Sequence, residues 1–380
     1  MAAKGRRRCM DGLPEDVLHE VLSRVGNVKD LFMLAVTCRR WLRRFTDPTF
    51  LRGLWGVGHR ARLLGFFFHL AFLPSPGSPL CALTSFDDDG TFNYAEPLAA
   101  RRGIVLMQLV PRTRLLGLCN PITGERHVLP PLECSGDVCT YAIITAADSD
   151  LDGKRFAFAQ LLLVTLTKNY KAHLHSCSAA MRSWSPPTMC LDILMGFLVV
   201  GERSAVVHQG AAHWLWINEV ENLLYTLSAE VGKHPCVVSL TKLPQVRVGG
   251  SPLLCVSRDG QLSVACVHPM HVTVWTQQQG HGEWLRTAVI RIPMAVPNPD
   301  PNRREKWFDF NRGSMLVLYR SSGVFILDLD KKVMEKIMDD CLLPQFNHVQ
   351  NKTKSVAYEM DLVEFFLLHL GGLCRGRPTE

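Results

Sequence analysis

Short, strongly apolar runs separated by turn residues dominate the chain after Trp55, and this pattern constrains the fold more than any other feature. Each run has the length of one β-strand, and Gly, Pro, Asn or Asp lies between neighbouring runs. Representative runs are Gly103–Met107, Tyr141–Thr145, Leu161–Thr167, Ser204–His208 and Gly313–Leu318. Many short strands with little helical patterning predict an all-β domain, which would be a sandwich, a barrel or a propeller.

Weak internal repetition favours the propeller. Strand runs recur at blade-like spacing near residues 103–132, 139–190, 203–243, 252–294 and 312–345. Within these units, Asn120–Glu125 predicts a tight turn and Asp259-Gly260 predicts a hairpin. We expect a first strand within 63–73 to pair with a last strand after Val356, because ring closure removes exposed sheet edges. We expect Gly371-Gly372 to end a short amphipathic helix behind that last strand.

The N-terminal region has a different, helical pattern. Pro14 suits the first position of a helix, and the apolar residues of 17–25 repeat at helical spacing to form one face. Asn27 is a suitable cap for a second helix. A third apolar group follows from Cys38, and we expect Asp47-Pro48 to stop it. Three short helices make a very small core, so the module should gain stability from a partner that covers an apolar face.

The short sequence motifs of this region strongly resemble an F-box. They are Leu13–Leu18, Val21–Val25, Val28–Leu31, Val36–Trp41 and Asp47–Phe50. The resemblance implies that the Leu-Pro pair and the apolar helix faces bind a Skp-family adaptor, which links to a cullin scaffold. The positions that match this adaptor-binding role are Leu13, Pro14, Val17, Leu18, Val21, Leu22, Leu31, Val36, Cys38 and Trp41. Many members have a proline where this chain has Gly26-Asn27. The competing interpretation, packing inside the module, suits Trp41 best and Leu13 and Pro14 least.

The strand-rich region carries a second resemblance. Leu118–Glu125 with the following Leu129-Pro130, His208–Trp214 and Gly323–Leu329 look like the signature of plant F-box-associated propeller domains, which directly follow the F-box. The whole chain is similar to a plant F-box protein of the cereal type. The implied organisation is a basic flexible tail at 1–10, an F-box at 11–55 and a propeller-like substrate-recognition domain at 56–380. The expected fold class is α+β multidomain: a small three-helix F-box followed by an all-β, propeller-like domain.

The charge distribution argues against nucleic acid as a partner. The net charge is +7, and residues 1–62 hold 13 Lys+Arg against 6 Asp+Glu, which leaves 29 basic and 29 acidic residues for 63–380. A large domain without net positive charge lacks the overall electrostatic attraction for phosphate groups that nucleic-acid binding uses. The basic helical stripe Arg39, Arg40, Arg43 and Arg44 is either a solvated face or a contact for an acidic adaptor surface.

Cysteine usage and hydropathy indicate the compartment. The 13 cysteines include no C-x-x-C pair, which is typical of reduced cysteines in the cytoplasm or the nucleus. The basic N-terminus lacks the apolar core of a secretory signal, and Arg6-Arg7-Arg8 is either a solvated tail or an aid to nuclear import. No uncharged apolar stretch reaches the roughly 18 residues that a membrane span needs, so we expect no membrane partner.

No motif predicts catalysis, a cofactor or a metal. The sequence lacks phosphate-binding glycine loops and a G-x-S-x-G elbow. His173 and His175 alternate on a predicted strand without further ligands, and Asp87–Gly90 is best interpreted as a solvated hairpin turn. Trp307 and Phe308 follow a loop rich in proline and charge, so they are candidates for substrate binding, although core packing is the default for both.

The resemblances imply a non-catalytic adaptor. In this interpretation the chain is the substrate-recognition subunit of an SCF-type (Skp–cullin–F-box) ubiquitin ligase and recruits an unknown protein for ubiquitination. One alternative is a binding protein whose propeller recognises a glycan or small ligand without ligase activity. A propeller enzyme is the third possibility, and no acid–base or metal set in the sequence supports it.

Overall fold

Four short helices occupy the N-terminal region of the computed structural model. They are α1 (Glu15–Ser23), α2 (Val28–Thr37), α3 (Arg39–Arg44) and α4 (Pro48–Trp55). The structure describes residues 14–25, 27–55, 62–68, 71–76, 78, 80, 95–110, 114–134, 136–148, 158–169, 171–192, 197–200, 205–232, 236–247, 251–278, 283–292, 306–310, 312–319, 323–339 and 355–375.

Polar caps explain two of the helix starts. The Asn27 side chain accepts a hydrogen bond of 3.0 Å from the backbone N–H of Lys29, which confirms Asn27 as the cap of α2. Asp47 accepts one of 2.8 Å from Thr49, and Pro48 then occupies the first position of α4. Asp47-Pro48 therefore ends α3 as expected but also begins a fourth helix, which the sequence interpretation of three helices missed.

Strands make up most of the remaining described chain. In chain order they begin with β1 (Arg62–Phe68), β2 (Ala71–Pro74), β3 (Glu96–Arg101), β4 (Ile104–Gln108), β5 (Leu116–Cys119), β6 (Arg126–Val128), β7 (Asp137–Thr145), β8 (Phe158–Leu166), β9 (Lys171–Ser178), β10 (Thr188–Asp192), β11 (Phe197–Val199) and β12 (Val206–His208). They continue with β13 (Ala211–Asn218), β14 (Leu223–Glu230), β15 (Val238–Arg247), β16 (Ser251–Val256), β17 (Leu262–Val267), β18 (His271–Gln277), β19 (Trp284–Arg291), β20 (Lys306–Phe310), β21 (Ser314–Tyr319), β22 (Gly323–Asp328), β23 (Val333–Met338) and β24 (Ser355–Met360).

Within the described residues these strands form six antiparallel sheets, which are the blades of a propeller. The first blade has the order β2-β1-β24, and the second to sixth contain β3–β6, β7–β10, β11–β15, β16–β19 and β20–β23. One strand of each blade lies against its counterparts in the neighbouring blades, and these six inner strands are β24, β3, β7, β12, β16 and β20. The structure therefore confirms the predicted propeller and gives it six blades.

A buried apolar cluster fills each space between neighbouring blades. Ile104 of the second blade packs in one cluster with Ile143 of the third, and similar clusters join the later pairs. Phe308 of the sixth blade packs with Phe66 of the first, which completes the circle. Strands inside the blades, such as β4 and β17, thus bury both faces, which explains why they are continuous apolar runs rather than alternating ones.

The chain termini of the propeller close the ring in one sheet. Strand β1 pairs antiparallel with β24, from Arg62 opposite Met360 to Phe68 opposite Ser355. This pairing confirms the expectation that a strand within 63–73 meets a strand after Val356. Strand β2 then extends the same sheet on the other side of β1.

Two predicted turns have the expected geometry. Asn120 accepts hydrogen bonds from the backbone of Ile122 and Thr123, and Gly124 has a φ of 77°, so the 120–125 turn joins β5 to β6. Gly260, with a φ of 79°, lies in the hairpin between β16 and β17. A left-handed φ is inexpensive only for glycine, which is why these turns were visible in the sequence.

A last helix, α5 (Leu362–Arg375), follows β24. It continues through Gly371 and Gly372, so the prediction that these glycines end it was wrong. Glycine costs about 1 kcal/mol in a helix. Burial of Phe365, Phe366 and Leu370 on the same helix offsets that cost.

Candidate functional site

The F-box helices divide their apolar residues between two environments. Leu18, Leu22 and Leu31 are buried in a core that also contains residues of α5. Three of the ten predicted adaptor-binding residues thus stabilise the module from inside. Their contribution to adaptor binding would be indirect, since they hold α1 and α2 in place.

Other predicted positions are apolar and exposed. Val17 and Val21 lie one turn apart on α1 with exposed fractions of 39% and 45%, and Val36 on α2 is 41% exposed. Met33, three residues before Val36, is 54% exposed and was not among the predicted residues. Its position on the helical period of α2 was the signal that could have found it. These four side chains give α1 and α2 exposed apolar surface of the kind that marks protein interaction sites.

The remaining predicted positions surround these helices. Pro14 is exposed at the N-cap of α1, and Leu13 lies outside the described residues. Cys38 is half-buried between α2 and α3. Trp41 is half-buried with its ring centroid 6.1 Å from that of Phe45, which fits the packing role that its sequence context favoured. The adaptor-binding role of all ten positions stays a prediction.

The predicted basic stripe lies on α3. Arg39, Arg40 and Arg43 are exposed, whereas Arg44 is half-buried with its guanidinium 5.7 Å from the centre of the Phe50 ring. This cation–π contact attaches Arg44 to the module. The stripe therefore presents mainly its first three arginines to solvent or to an acidic partner.

An aromatic cluster joins the F-box helices to the propeller through α5. Phe366 has ring centroids 4.9 Å from Trp55, 5.4 Å from Phe45 and 5.9 Å from Phe32. The preceding strand β24 belongs to the propeller, so α5 is directly continuous with one blade while it packs against α2, α3 and α4. The N-terminal helices and the propeller consequently share one hydrophobic core.

The six inner strands surround a central channel, which is the larger of two notable cavities. It has a volume of about 910 Å³, and its lining includes residues of β3, β12, β16, β20 and β24 together with Asp148 behind β7. The lining carries Arg101, Arg102, Arg258 and Arg312 as cations and Asp148, Asp309, Glu359, Asp361 and Glu364 as acids. His208 also lines it, and burial followed by the charge of Arg312 lowers its pKa. The channel is thus polar and rich in charge.

An ion pair on one side of the channel links two blades. Arg101 donates hydrogen bonds of 2.5 and 2.7 Å to both Asp148 oxygens and one of 3.0 Å to the carbonyl of Ile143. Burial by itself would raise the pKa of Asp148, but hydrogen bonding and charge from Arg101, with the charge of Arg102, hold that pKa at about 2. Thr145 donates two further hydrogen bonds to the carboxylate. This pair is a structural clamp between the second and third blades.

Two other buried carboxyl groups line the channel, and the backbone hydrogen bonds and Arg312 charge at Asp309, or the Arg101 charge at Glu359, offset their burial only in part. Burial, reinforced by the charge of Glu359, raises the pKa of Asp309 to about 8. Burial raises the pKa of Glu359 to about 7, although the charge of Arg101 opposes the shift. Asp309 Oδ1 and Glu359 Oε2 are buried and have no hydrogen-bond partner, and the same holds for Ser355 Oγ. No local sequence pattern predicted this group, because its members lie on two strands that are far apart in the chain.

The second cavity lies between the second and third blades. It has a volume of about 680 Å³ and is lined by residues that include Leu118, Arg126, Phe158, Cys177 and Arg182. Its lining mixes apolar strand residues with two arginines at its edge. It offers a smaller, more apolar recess than the channel.

Trp307 and Phe308 are the residues that the sequence suggested for substrate binding. Both lie in the inner strand β20, where they are only 7% and 6% exposed. Trp307 packs in the cluster between the fifth and sixth blades, and Phe308 packs in the cluster that closes the ring. The default of core packing describes their position, and little of either ring is available to a bound protein. A direct substrate contact through them stays untested.

Two features are absent from the described part of the chain. No group of three or more His, Cys, Asp and Glu side chains there is arranged to hold a metal ion. No described helix is long and apolar enough to cross a membrane. His175, one of the histidines considered as a ligand, instead has its Nε2 atom 2.9 Å from Thr165 Oγ1.

Comparison with known proteins agrees with the two parts of the chain. The F-box-like family model matches residues 10–53. An F-box/kelch-repeat protein of Arabidopsis thaliana is 30% identical over 131 residues, which is 31% of this chain and 32% of that protein. The match thus spans about a third of the relative's length.

Solved structures show only distant likeness. TolB from Acinetobacter baumannii has a TM-score of 0.37 and 10% identity over 67% of this chain and 55% of its own. Regucalcin, a calcium-binding protein from Agrobacterium tumefaciens, has a TM-score of 0.38 and 13% identity, with coverage of 64% and 74%. Such scores carry no argument about function. The family match and the six sheets together show that the chain carries an F-box-like domain at its N-terminus, followed by a six-bladed β-propeller.

Proposed function

We propose that this protein is the substrate-recognition subunit of an SCF-type ubiquitin ligase. The F-box-like domain would bind a Skp-family adaptor and through it a cullin scaffold, and the propeller would bind a protein destined for ubiquitination. The observation that carries the proposal is the F-box-like match at residues 10–53 together with exposed Val17, Val21, Met33 and Val36 on its first two helices. The protein itself would be a non-catalytic adaptor that acts in the cytoplasm or the nucleus.

The shared core around α5 supports this role physically. Ubiquitin transfer to a bound protein depends on holding two reacting groups close together, and a defined geometry raises their effective concentration. A flexible link between adaptor and substrate domains would spread the bound protein over a large volume. Because Phe366 packs against Trp55, Phe45 and Phe32, the propeller has a fixed attachment to the helices that would dock on the adaptor.

The test is co-purification of the full chain with a Skp-family adaptor. A variant with Val17→Asp and Val21→Asp places two charges on exposed apolar positions, so we expect retention to fall by about tenfold or more. Val220→Asp is the matched control, since Val220 is 73% exposed in a turn of the fourth blade. A second variant with Leu13→Ala and Pro14→Ala tests the predicted Leu-Pro pair. Failure of the folded wild-type chain to retain any adaptor would refute the proposal.

The second candidate, a propeller that recognises a glycan or small ligand without ligase activity, has one observation in its favour. The central channel and the cavity between the second and third blades have the volumes of about 910 and 680 Å³ that such ligands require. Adaptor binding separates the two candidates, because only the first requires it. Thermal stabilisation by a ligand, measured on adaptor-free protein, would favour the second.

A further inference from the structure

The carboxyl groups and arginines that line the central channel are not equal in number. Five carboxyl groups face four arginines in the described lining, so full ionisation leaves one negative charge in excess. One of the arginines, Arg258, also lies 3.4 Å from Asp330, a carboxylate outside the lining. Asp148 is already paired with Arg101 and Arg102. By contrast, the Asp309 Oδ1 and Glu359 Oε2 atoms of the described lining are buried and have no hydrogen-bond partner.

The atoms on that side have hydrogen-bonding capacity that the protein leaves unused. Ser355 is only 7% exposed, lines the channel and has no partner for its hydroxyl group. Glu359 lies on the same face of β24 but four residues, about 13 Å, further along the strand, so Ser355 lies outside the reach of a small group bound at Glu359. Asp309 Oδ1 and Glu359 Oε2 are unpartnered acceptors in the same cavity. Buried polar groups without partners are costly, and a recurrent reason for keeping them is a ligand that satisfies them.

We propose that the central channel binds one organic cation, a primary ammonium or guanidinium group, between the Asp309 and Glu359 carboxyl groups. Such a group has several N–H donors and one positive charge, so it donates to both unpartnered carboxyl oxygens and stabilises their ionised forms. An anion is disfavoured, because an ionised carboxylate repels it and offers it no hydrogen-bond donor. A metal ion fits poorly, because no group of three ligating side chains is arranged to hold one within the described residues. This inference concerns the propeller and does not depend on adaptor docking.

Two sources of the cation share this chemistry, a free amine and a lysine or arginine side chain of a bound protein. The channel volume of about 910 Å³ admits either. Binding should also release protons, because burial raises the pKa of Asp309 to about 8 and of Glu359 to about 7 and a cation favours their ionised forms. Affinity should consequently rise with pH between about 6 and 8. The other charged groups that act here are Arg312 at Asp309 and Arg101 at Glu359, and His208, whose pKa burial and then the charge of Arg312 lower, also lines the channel.

The experiment is isothermal titration calorimetry on the full chain with three matched probes. Butylamine represents a free amine, acetyl-Gly-Lys-Gly-amide represents a protein side chain, and the same peptide with an acetylated lysine side chain keeps the shape without the charge. We expect the amine or the lysine peptide to bind at least tenfold more tightly than the acetylated peptide. Tighter binding of the lysine peptide identifies a protein side chain as the source, and tighter binding of butylamine identifies a free amine.

Two isosteric variants locate the site. Asp309→Asn and Glu359→Gln should each weaken amine binding by about tenfold and reduce the proton release, measured in buffers of different ionisation heat. Asp309→Asn replaces a carboxyl group that is largely protonated at neutral pH, and Glu359→Gln replaces one that is partly protonated there, so thermal melts should show intact folding. Glu335→Gln, on the exposed surface of β23, is the control and should bind like the wild type. Equal binding of charged and acetylated probes, binding of Ca²⁺ alone, no binding by any probe, or unaffected variants would each overturn the proposal.

Discussion

Replacing Phe366 by alanine tests whether the F-box-like domain and the propeller share one core. The Phe366 side chain is fully buried on α5 and lies within 5.9 Å, ring centre to ring centre, of Phe32, Phe45 and Trp55. Those three rings belong to α2, to the turn after α3 and to α4. The substitution therefore removes the central side chain of the contact and leaves the exposed positions of α1 and α2, which we propose bind the adaptor, unchanged.

The expected cost follows from the size of the cavity. Phe→Ala in a core destabilises by about 3–5 kcal/mol, and the lost ring pairs belong near the upper part of that range. A domain stability of about 5–15 kcal/mol makes this a large fraction of the total. We expect about 4 kcal/mol, with the F-box helices losing their packing before the propeller does. Unfolding should then occur in two separate transitions.

Urea unfolding monitored by tryptophan fluorescence and by circular dichroism measures both effects. Trp55 reports the helices, whereas Trp214 and Trp216 report the fourth blade. Leu373→Ala is the matched control on the same helix, because Leu373 is 56% exposed and its truncation should change stability by no more than about 0.5 kcal/mol. A loss below about 1 kcal/mol for Phe366→Ala, or equal losses for both variants, would show that the shared core does not stabilise the chain.

Three further predictions concern the propeller. Asp148→Ala should cost about 3–5 kcal/mol in urea unfolding because it removes the carboxylate from the largely buried Arg101, whereas Asp330→Ala, from an exposed pair, should cost about 1 kcal/mol or less. The contribution of Asp309 and Glu359 to stability should fall as pH rises from about 5 to 8, because the unfolded chain ionises both near pH 4 while the fold raises both pKa values. Buried histidines with a lowered pKa, such as His213, act in the opposite direction below pH 6.5, so the test compares variants: Asp309→Asn should lose less stability than the wild type over this range in thermal melts, and an equal slope would contradict the prediction. Burial raises the pKa of the Cys255 thiol well above its usual value, so iodoacetamide should label Cys255 only after unfolding, as mass spectrometry of labelled peptides can show.

The parts of the fold that the sequence predicted are those set by local rules. The turn at Asn120–Glu125 was visible because an Asn side chain and a glycine with a left-handed φ define it within a few residues. The F-box-like motifs could be predicted as well, because their order and spacing are local features of the sequence. The fourth helix was missed, since Pro48 follows a cap-like Asp and such a pair ends one helix and begins another with equal ease.

The helix α5 shows why local rules fail where tertiary packing decides. Gly371 and Gly372 have the sequence signature of a helix end, and a cost of about 1 kcal/mol each favours that interpretation. The buried rings of Phe365 and Phe366 contribute more than that cost when the F-box helices cover them. The extension of the helix therefore depends on residues more than 300 positions away in the chain, which a local pattern does not contain.

The acids of the channel also depend on tertiary structure, because the fold and not the local sequence brings them together. Asp309 lies on β20 of the sixth blade and Glu359 on β24 of the first, and each is an ordinary carboxylate within its own sequence context. They influence each other only because β24 pairs with β1 and thereby brings the end of the chain next to the sixth blade. Ring closure thus creates the one place in the described lining where buried carboxyl oxygens lack partners. A change that weakens the pairing of β1 with β24 should for that reason abolish cation binding in the channel before it disturbs the ion pair between Arg101 and Asp148, which joins the second and third blades.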